Sequence, residues 1–318
     1  MASEDATAGR STYLLDADSD GGCTALPGTV ALARCLPEGE PHVVRTRFTG
    51  GLRPWEDIGS HVAAIASLLV AAGRAGADRV HVDTPGFEDH PAARRWLAAF
   101  LEMAEPDRLI HVAMPGDEHV LPWMASFSNR PLETVPASLD VVRKSAIVRA
   151  TRRCVRIAGA FEDAPRRRLA LDRTTTIGST LGTGTPMAAG RLAWLADALG
   201  RDVLRAEILP EGTVCAWTAG SGAEMDPAAV GWVAEALGAA RLRVVPVTRL
   251  RGRIAAWINP MARHPVLLRI VGIDPRDQSL VVDGDAPTAP DAPGVVRIGR
   301  FRVDSQGTVR PCAPSDAV

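Results

Sequence analysis

Three aspartates stand at alternate positions near the start of the sequence, in Asp16-Ala17-Asp18-Ser19-Asp20-Gly21, directly after the apolar run Tyr13-Leu14-Leu15. Carboxylates at alternate positions followed by glycine are the pattern of a calcium loop. The twelfth position of such a loop should be a bidentate glutamate; here it is Pro27, and the preceding segment reads as a strand rather than a helix. A second chemistry for the same residues is that strand-end carboxylates face a phosphate or Mg²⁺ site, as a general base or in the metal's shell. The plain reading is a polar loop that ends a strand and caps the following turn.

Asp83-Thr84-Pro85-Gly86-Phe87 follows the apolar segment Arg79 to Val82. An apolar strand ending in Asp, then Thr-x-Gly, has the form of a Walker B segment with its switch-like loop. The aspartate would hold Mg²⁺ through water, and the glycine would let backbone approach a phosphate. The plain reading is an N-cap and turn leading into a helix at Pro91.

Basic charge is concentrated in one region. Residues 141–173 carry ten basic side chains (Arg143, Lys144, Arg149, Arg152, Arg153, Arg156, Arg166, Arg167, Arg168, Arg173) against Glu162, Asp163 and Asp172. That is an excess of +7 in a chain of net charge −1. Arg149, Arg152, Arg153 and Arg156 have i, i+3, i+4, i+7 spacing, so a helix puts them on one face. Such a face can clamp phosphates of a nucleotide or of a nucleic-acid backbone. The alternative is a solvated helix in an arginine-rich protein: the chain has 35 arginines and the single lysine Lys144. The glycine-rich run from Gly178 to Pro186 could form an anion nest, or be a plain loop before a helix.

These groups need elements to position them. The chain has 318 residues, 46% hydrophobic and 23% charged, which is soluble globular composition and more than one core usually serves. Tyr13–Leu15, His42–Phe48, Arg79–Val82 and Leu109–Met114 read as strands, and Ile58–Gly73 and Pro91–Ala104 as helices. Strands alternating with helices predict a parallel sheet with crossover helices, whose ligands sit beyond the carboxyl ends of the strands. Asp16, Asp18, Asp83 and Thr84 fall at such ends. Ala188–Leu199 and Pro227–Leu237 read as helices. From Leu242 the segments LRVVPV, RIAAWI, VLLRIVGI, SLVV and VVRIGRFRV read as strands of a small β-rich domain. The longest apolar run, Val62 to Ala72, is too short to cross a bilayer. The N-terminal decapeptide has no apolar core, so it does not read as a secretory signal. Five scattered cysteines without a CxxC pair disfavour a disulfide framework or structural zinc and suit a reducing cytoplasm.

One expected part is missing. A phosphate-binding loop needs GxxxxGK[ST], and the only lysine, Lys144, follows Val-Val-Arg without the motif's glycines.

Taken together, the segments resemble the polynucleotide 5′-hydroxyl kinase family, which includes the RNA kinase of the pre-mRNA cleavage factor and the rRNA-processing kinase. Leu14-Leu15-Asp16-Ala17-Asp18 through Leu26-Pro27-Gly28-Thr29-Val30 is similar to the family's strand, acidic-x-Asp pair and Pro-Gly-Thr, with Pro27 nine residues after Asp18. Phe48-Thr49-Gly50-Gly51 with Arg53-Pro54 resembles its Phe-Gly-x-x-x-Pro segment. Val82 to Phe87 resembles its Asn/Asp-Thr-x-Gly-Trp loop. Arg149 to Phe161 resembles its arginine-rich lid. Arg253–Asp274 and Val296–Val303 resemble its β-rich C-terminal domain. The likeness covers about residues 13–161 and 250–307. It departs where the Walker A strand, loop and helix are absent, and where the family's Gly-Gln after Asp18 is Asp20-Gly21.

The resemblance implies transfer of the γ-phosphate of ATP to the 5′-hydroxyl of RNA or DNA, with Mg²⁺. It implies that Asp18 activates the hydroxyl and that Asp16, Asp83, Thr84 and Gly86 lie beside nucleotide and metal, with Asp18 and Asp83 holding Mg²⁺ through water. Arg149, Arg152 and Arg153 would be lid arginines at the transferred charge. Phe87, Arg143, Lys144 and Arg156 would contact nucleic acid, Phe87 by stacking.

The expected fold class is α/β: a P-loop NTPase-like, mostly parallel sheet with flanking helices, plus a smaller β-rich C-terminal domain. The expected organisation is a kinase-like domain over 1–160, a linker and helical region over 161–240, the β-rich domain over 241–310 and a disordered tail over 311–318. The expected function is polynucleotide 5′-hydroxyl kinase-like, inactive as written without a Walker A, with ATP and Mg²⁺ as cofactors. RNA or DNA 5′ ends would bind through the basic region Arg143–Arg173, with no membrane and with the protein partner open; the location is cytoplasmic. Two explanations of the missing loop stand. Either the chain starts downstream of its true N-terminus and the full protein is a kinase, or it is a degenerate relative that binds RNA or a protein partner without catalysis. Loss of the strand before a Walker A exposes two inner sheet edges, which favours the first. Outside this family, a metal-binding hydrolase using Asp16, Asp18 and Asp83 is the third reading.

Overall fold

The computed structural model describes residues 2–20, 22, 24–86, 90–113, 131–138, 140–141, 145–220, 225–259, 261–287, 294–304 and 307–312. The chain divides into two compact units, Met1–Arg156 and Ile157–Val318.

The first unit opens with a short helix α1 (Ala2–Thr7) and then builds a four-stranded sheet in the order β3 (His42–Phe48), β2 (Thr29–Arg34), β1 (Thr12–Asp16), β4 (Arg79–Asp83). β1 and β4 are parallel, with Asp16 opposite Asp83, while β1–β2 and β2–β3 are antiparallel. β1, β3 and β4 therefore run the same way, and their carboxyl ends share one edge. Two helices cover one face. α2 (Ile58–Arg74) begins where the Asp57 carboxylate accepts the Ser60 N–H, a side-chain cap. Its stripe His61, Ala64, Ile65, Leu68 and Ala72 is buried. α3 (Pro91–Ala104) has proline in its first turn and stops at Glu105, which takes a left-handed φ of 41°. Trp96, Leu97 and Phe100 of α3 join Tyr13, Leu15, Val30 and Leu32 of the sheet in one core. Beyond α3, β5 (Leu109–Ala113) and β6 (Leu132–Pro136) form a separate parallel pair. The unit ends within α4 (Ala146–Ala160), which carries the arginine run up to Arg156.

The second unit holds two sheets. One has the order β12 (Arg241–Pro246), β11 (Thr213–Thr218), β10 (Val203–Ile208), β9 (Thr185–Pro186) and packs with α5 (Ala189–Leu199) and α6 (Pro227–Leu237). The other runs β17 (Val309–Pro311), β16 (Gly294–Val303), β13 (Arg253–Ile258), β14 (Val266–Asp274), β15 (Ser279–Asp283), β7 (Arg166–Ala170), with β8 (Thr174–Ile177) parallel to β16. Its core includes Trp217, Leu250, Trp257, Ile270 and Leu280. At Gly294 a Cβ would lie 1.7 Å from the Trp257 ring, so only glycine lets the two strands approach there.

The α/β class and the β-rich C-terminal region are as the sequence predicts. Strand sense is more mixed than a mostly parallel sheet. Among the described residues of the first unit, β1–β4 and β5–β6 are the parallel pairs, while β2 and β3 return as a hairpin-like antiparallel pair. Residues 161–240 hold α5 and α6, and also β7 to β11. The tail beyond Cys312 lies outside the described residues. Among the described residues no helix is long and apolar enough to cross a membrane.

Candidate functional site

The carboxyl edge shared by β1, β3 and β4 gathers the acidic residues. Asp16, the last residue of β1, is fully buried. Its Oδ2 accepts the Thr24 N–H (2.9 Å) and the Thr24 hydroxyl (2.8 Å), and Oδ1 accepts the Asp18 N–H (3.2 Å). Gly22 lies against the same carboxylate: a Cβ there would sit 2.4 Å from both oxygens. Asp16, expected beside nucleotide and metal, is thus turned inward. Its oxygens are occupied by the loop it organises.

Asp18 is half-buried beyond it, with Oδ1 accepting the Asp20 N–H (3.0 Å). Ala17, between the two aspartates, is held on both sides. Its N–H donates to the Asp83 carbonyl (2.8 Å), and its carbonyl faces His61 Nε2 (3.0 Å). The Trp96 indole N–H donates to His61 Nδ1 (3.1 Å). Nδ1 is therefore the acceptor, and the imidazole proton sits on Nε2, where it donates to Ala17. Burial pushes this histidine down to about 4, so the ring is neutral near pH 7. The sequence gives one signal for it: a histidine on the apolar stripe of a helix, where a packed ring needs polar partners. The loops are tied further. The Ser19 hydroxyl donates to the Leu52 carbonyl (3.1 Å), and the Gly28 N–H to the Ser19 carbonyl (2.8 Å). Glu56 accepts the Leu52 N–H (3.0 Å); burial raises its carboxyl above the usual range, and the charge of Asp20 adds to this.

Asp83 is raised to about 6, first by withdrawal from water and then by the charges of Asp16 and Asp18. Its side chain is still reached by solvent at the open end of β4, as are Thr84 and Gly86. Phe87 lies outside the described residues, as do Arg143 and Lys144.

α4 meets this loop directly. Arg153 pairs with Asp20, and Arg156 donates through Nη1 to the Gly22 carbonyl (2.6 Å) and through Nη2 to that of Ala25. Arg156, expected on nucleic acid, is engaged with protein backbone. Arg149 and Arg152 are exposed. The rest of the basic run belongs to the second unit, where aspartates meet it. Arg166 pairs with Asp283 (2.9 Å), Arg168 with Asp274 (3.0 Å) and Arg167 with Asp285 (3.5 Å).

The fold is similar to that of Clp1p. A structure of the wild-type Clp1p–Pcf11p (454–563) complex matches with TM-score 0.52 and 11% identity, over 92% of this chain and 67% of that one. A second, on the extended interface between Pcf11p and Clp1p and the basis of ATP loss in a glycine-to-arginine point mutant, matches with TM-score 0.51 and 11% identity, over 92% and 68%. At this identity the likeness is one of fold. No protein-family model matches the sequence, and comparison with the curated proteins finds no match.

Within this Clp1-like fold the edge gathers Asp18, Asp20, Glu56 and Asp83, with Arg53, Arg153 and Arg156 beside them. The charge of Asp18 acts on the Asp83 carboxyl, so the two carboxylates are electrostatic neighbours at this edge. A hydrolase centre on Asp16, Asp18 and Asp83 does not fit, because the Asp16 oxygens are occupied. Among the described residues no group of three or more His, Cys, Asp or Glu side chains could hold a metal ion. The glycine-rich run of the second unit does form an anion nest, and the anion is internal. Glu207 accepts the N–H groups of Gly182 (3.0 and 2.9 Å) and Gly184 (3.2 Å).

Proposed function

We propose that this protein is a polynucleotide-kinase-like binding protein of the cytoplasm. It would hold the 5′-hydroxyl end of RNA or DNA at the carboxyl edge of the β1–β4 sheet and act with a protein partner, without transferring phosphate on its own. The observation that carries this is the lock of Arg153 and Arg156 onto the 16–25 loop. Two arginines of the lid run are spent on building the site, and no lysine-bearing phosphate loop stands in the sequence to replace them. Phosphoryl transfer relies almost wholly on such positioning and charge. Exposed on α4, Arg149 and Arg152 would meet a phosphate backbone in this reading. Asp18 and Asp83 would hold Mg²⁺, which supplies positive charge for phosphate oxygens at this edge. The fold's likeness to Clp1p supports a protein partner, since the two matched structures concern Clp1p with Pcf11p.

Calorimetric titration tests the reading. A 5′-hydroxyl RNA oligonucleotide should bind with an affinity that falls as salt rises, and the Arg149→Ala/Arg152→Ala variant should bind more weakly. Mg·ATP should give no heat at millimolar concentration. Absence of oligonucleotide binding at low salt would end the proposal.

A second reading, phosphoryl transfer from ATP to the 5′-hydroxyl, is favoured by the Asp83 carboxyl, raised to about 6 beside Asp18. Mg·ATP heat that weakens in both Asp18→Ala and Arg152→Ala, with 5′-phosphate appearing on the oligonucleotide, would establish it instead.

A further inference from the structure

Strand pairing sorts the basic residues of the second unit into two groups. At one end of the seven-stranded sheet, β7 meets acids from β14, β15 and the residue pair after it. Arg166 pairs with Asp283 (2.9 Å), Arg168 with Asp274 (3.0 Å) and Arg167 with Asp285 (3.5 Å). Arg269 of β14 shares Asp283 (2.8 Å). The other end of the sheet has no such supply of acid. Residues 241–273 hold seven arginines and no acidic residue, and residues 294–312 hold four arginines against Asp304 alone. These stretches are distant in sequence, and the antiparallel pairing of β13 with β16, and of β16 with β17, joins them.

Register puts three of these arginines in one row. Arg253 stands opposite Arg302, and Arg302 stands opposite Arg310. Residues directly opposite on neighbouring strands send their side chains to the same face, with Cβ atoms about 5 Å apart. Like charges in that position destabilise a sheet, so the row is held against the sheet's own preference. Arg253 is 3% exposed, with Nε donating to the Arg249 carbonyl (2.9 Å). Arg302 is half-buried, and Arg310 and Arg300 are exposed. Asp304 accepts from Arg310 Nε through one oxygen (3.2 Å), and its other oxygen accepts the Thr308 N–H (2.9 Å). The single acid of these strands is therefore divided between a turn and the end of the row.

We propose that the arginine row of β13, β16 and β17 is a binding site for the phosphodiester backbone of a polynucleotide. It goes beyond the 5′-end reading above, because it takes the backbone and needs no 5′-hydroxyl. A line of guanidinium groups matches a line of phosphates: each planar fork offers two parallel N–H groups to two oxygens of one phosphate. Contacts of this kind fix a strand in place without reading its sequence. The surface argues against a folded protein as the occupant. Protein interfaces are anchored by aromatic and apolar side chains at their centre. Among the described residues, no large apolar side chain of β13, β16 or β17 is exposed. The same lack argues against a membrane, since proteins that lie on a bilayer bury apolar groups at the headgroup boundary.

Fluorescence anisotropy on the 318-residue chain tests this, with a 5′-phosphorylated single-stranded RNA of about twenty nucleotides as the probe. Binding should weaken as salt rises. Arg302→Gln/Arg310→Gln should weaken it about fivefold or more and lower the salt slope by about 1.4, which is two single-strand contacts at about 0.7 each. Asp304→Asn keeps an acceptor for the Thr308 N–H and removes the opposing charge, so it should tighten binding about twofold. If the double variant fails to fold in urea titration, Asp304→Asn alone decides. Unchanged affinity and slope in a folded double variant, or no tightening in Asp304→Asn, would overturn the proposal. Equal binding of polyglutamate of matched charge would make an acidic protein the occupant and overturn it too. So would recruitment to phosphatidylserine vesicles that the double variant loses. A loss of RNA binding confined to Arg149→Ala/Arg152→Ala would end the row and keep the 5′-end reading; a loss confined to Arg302→Gln/Arg310→Gln would do the reverse.

Discussion

The indole N–H of Trp96 donates to Nδ1 of His61 across 3.1 Å, and both side chains are buried. The bond fixes the tautomer, so that the opposite nitrogen steadies Ala17 between Asp16 and Asp18. It also fixes a pH response. The folded ring protonates near 4, against 6.5 for a free histidine. Between those values the unfolded chain takes up a proton that the folded chain does not, so stability falls as pH drops from 6.5 to 4. At pH 5 the loss from this group is about 2 kcal/mol. Urea unfolding of the wild type and His61→Gln at pH 7 and 5 measures it: the wild type should lose this increment relative to the variant. Equal pH slopes in the two proteins would mean that the ring titrates normally.

Asp83 works in the opposite direction. Its folded carboxyl is raised to about 6 from 3.8, so the folded state holds a proton that the unfolded state has released. Stability from this group is present at pH 4 and lost as pH rises through 6. Asp83→Asn removes the charge that burial and its aspartate neighbours oppose. The variant should be more stable than wild type at pH 7, and the difference should vanish at pH 4. A carboxyl carbon titration that places Asp83 near 4 would contradict the arrangement.

The arginines of α4 divide by what they touch. Arg156→Ala removes the donors to the Gly22 and Ala25 carbonyls, and should cost about 1–3 kcal/mol in urea unfolding. Arg152 is exposed, and Arg152→Ala should change stability by less than about 0.5 kcal/mol while weakening oligonucleotide binding. Equal stability losses in the two variants would mean that α4 does not lock the loop through Arg156.

The sequence revealed the elements more readily than their contacts. The α2 and α3 stripes and the strands at 42, 79 and 109 follow from local periodicity, and the Asp16, Asp18 and Asp83 strand ends follow from the turn residues beyond them. What local pattern does not carry is direction. Asp16 and Asp18 are two residues apart, and only the packing of Gly22 and Thr24 decides that one turns inward. The face of the arginine helix was legible from its spacing. Its partners were not, because Asp20 lies 133 residues from Arg153 in sequence. His61 was missed because a single histidine in an apolar stripe gives no sign of the indole that will bond it.

The filled nest of the second unit shows the same limit and makes the last prediction. Gly182 and Gly184 point their N–H groups at Glu207, which is fully buried and paired with Arg205, itself 3% exposed. Arg205 also donates to Gln278 Oε1 (3.2 Å). A buried carboxylate tolerates the loss of such a cation poorly, since its charge then lacks compensation; removing one partner of a buried pair costs about 3–5 kcal/mol. Arg205→Met should show a loss of that size in urea unfolding. Glu207→Gln keeps an acceptor for one nest N–H and removes the charge, so the double variant should be destabilised by at least about 1 kcal/mol less than the sum of the two single variants. Simple additivity would mean that the glycine N–H groups alone hold Glu207, and that Arg205 serves Gln278 rather than the nest.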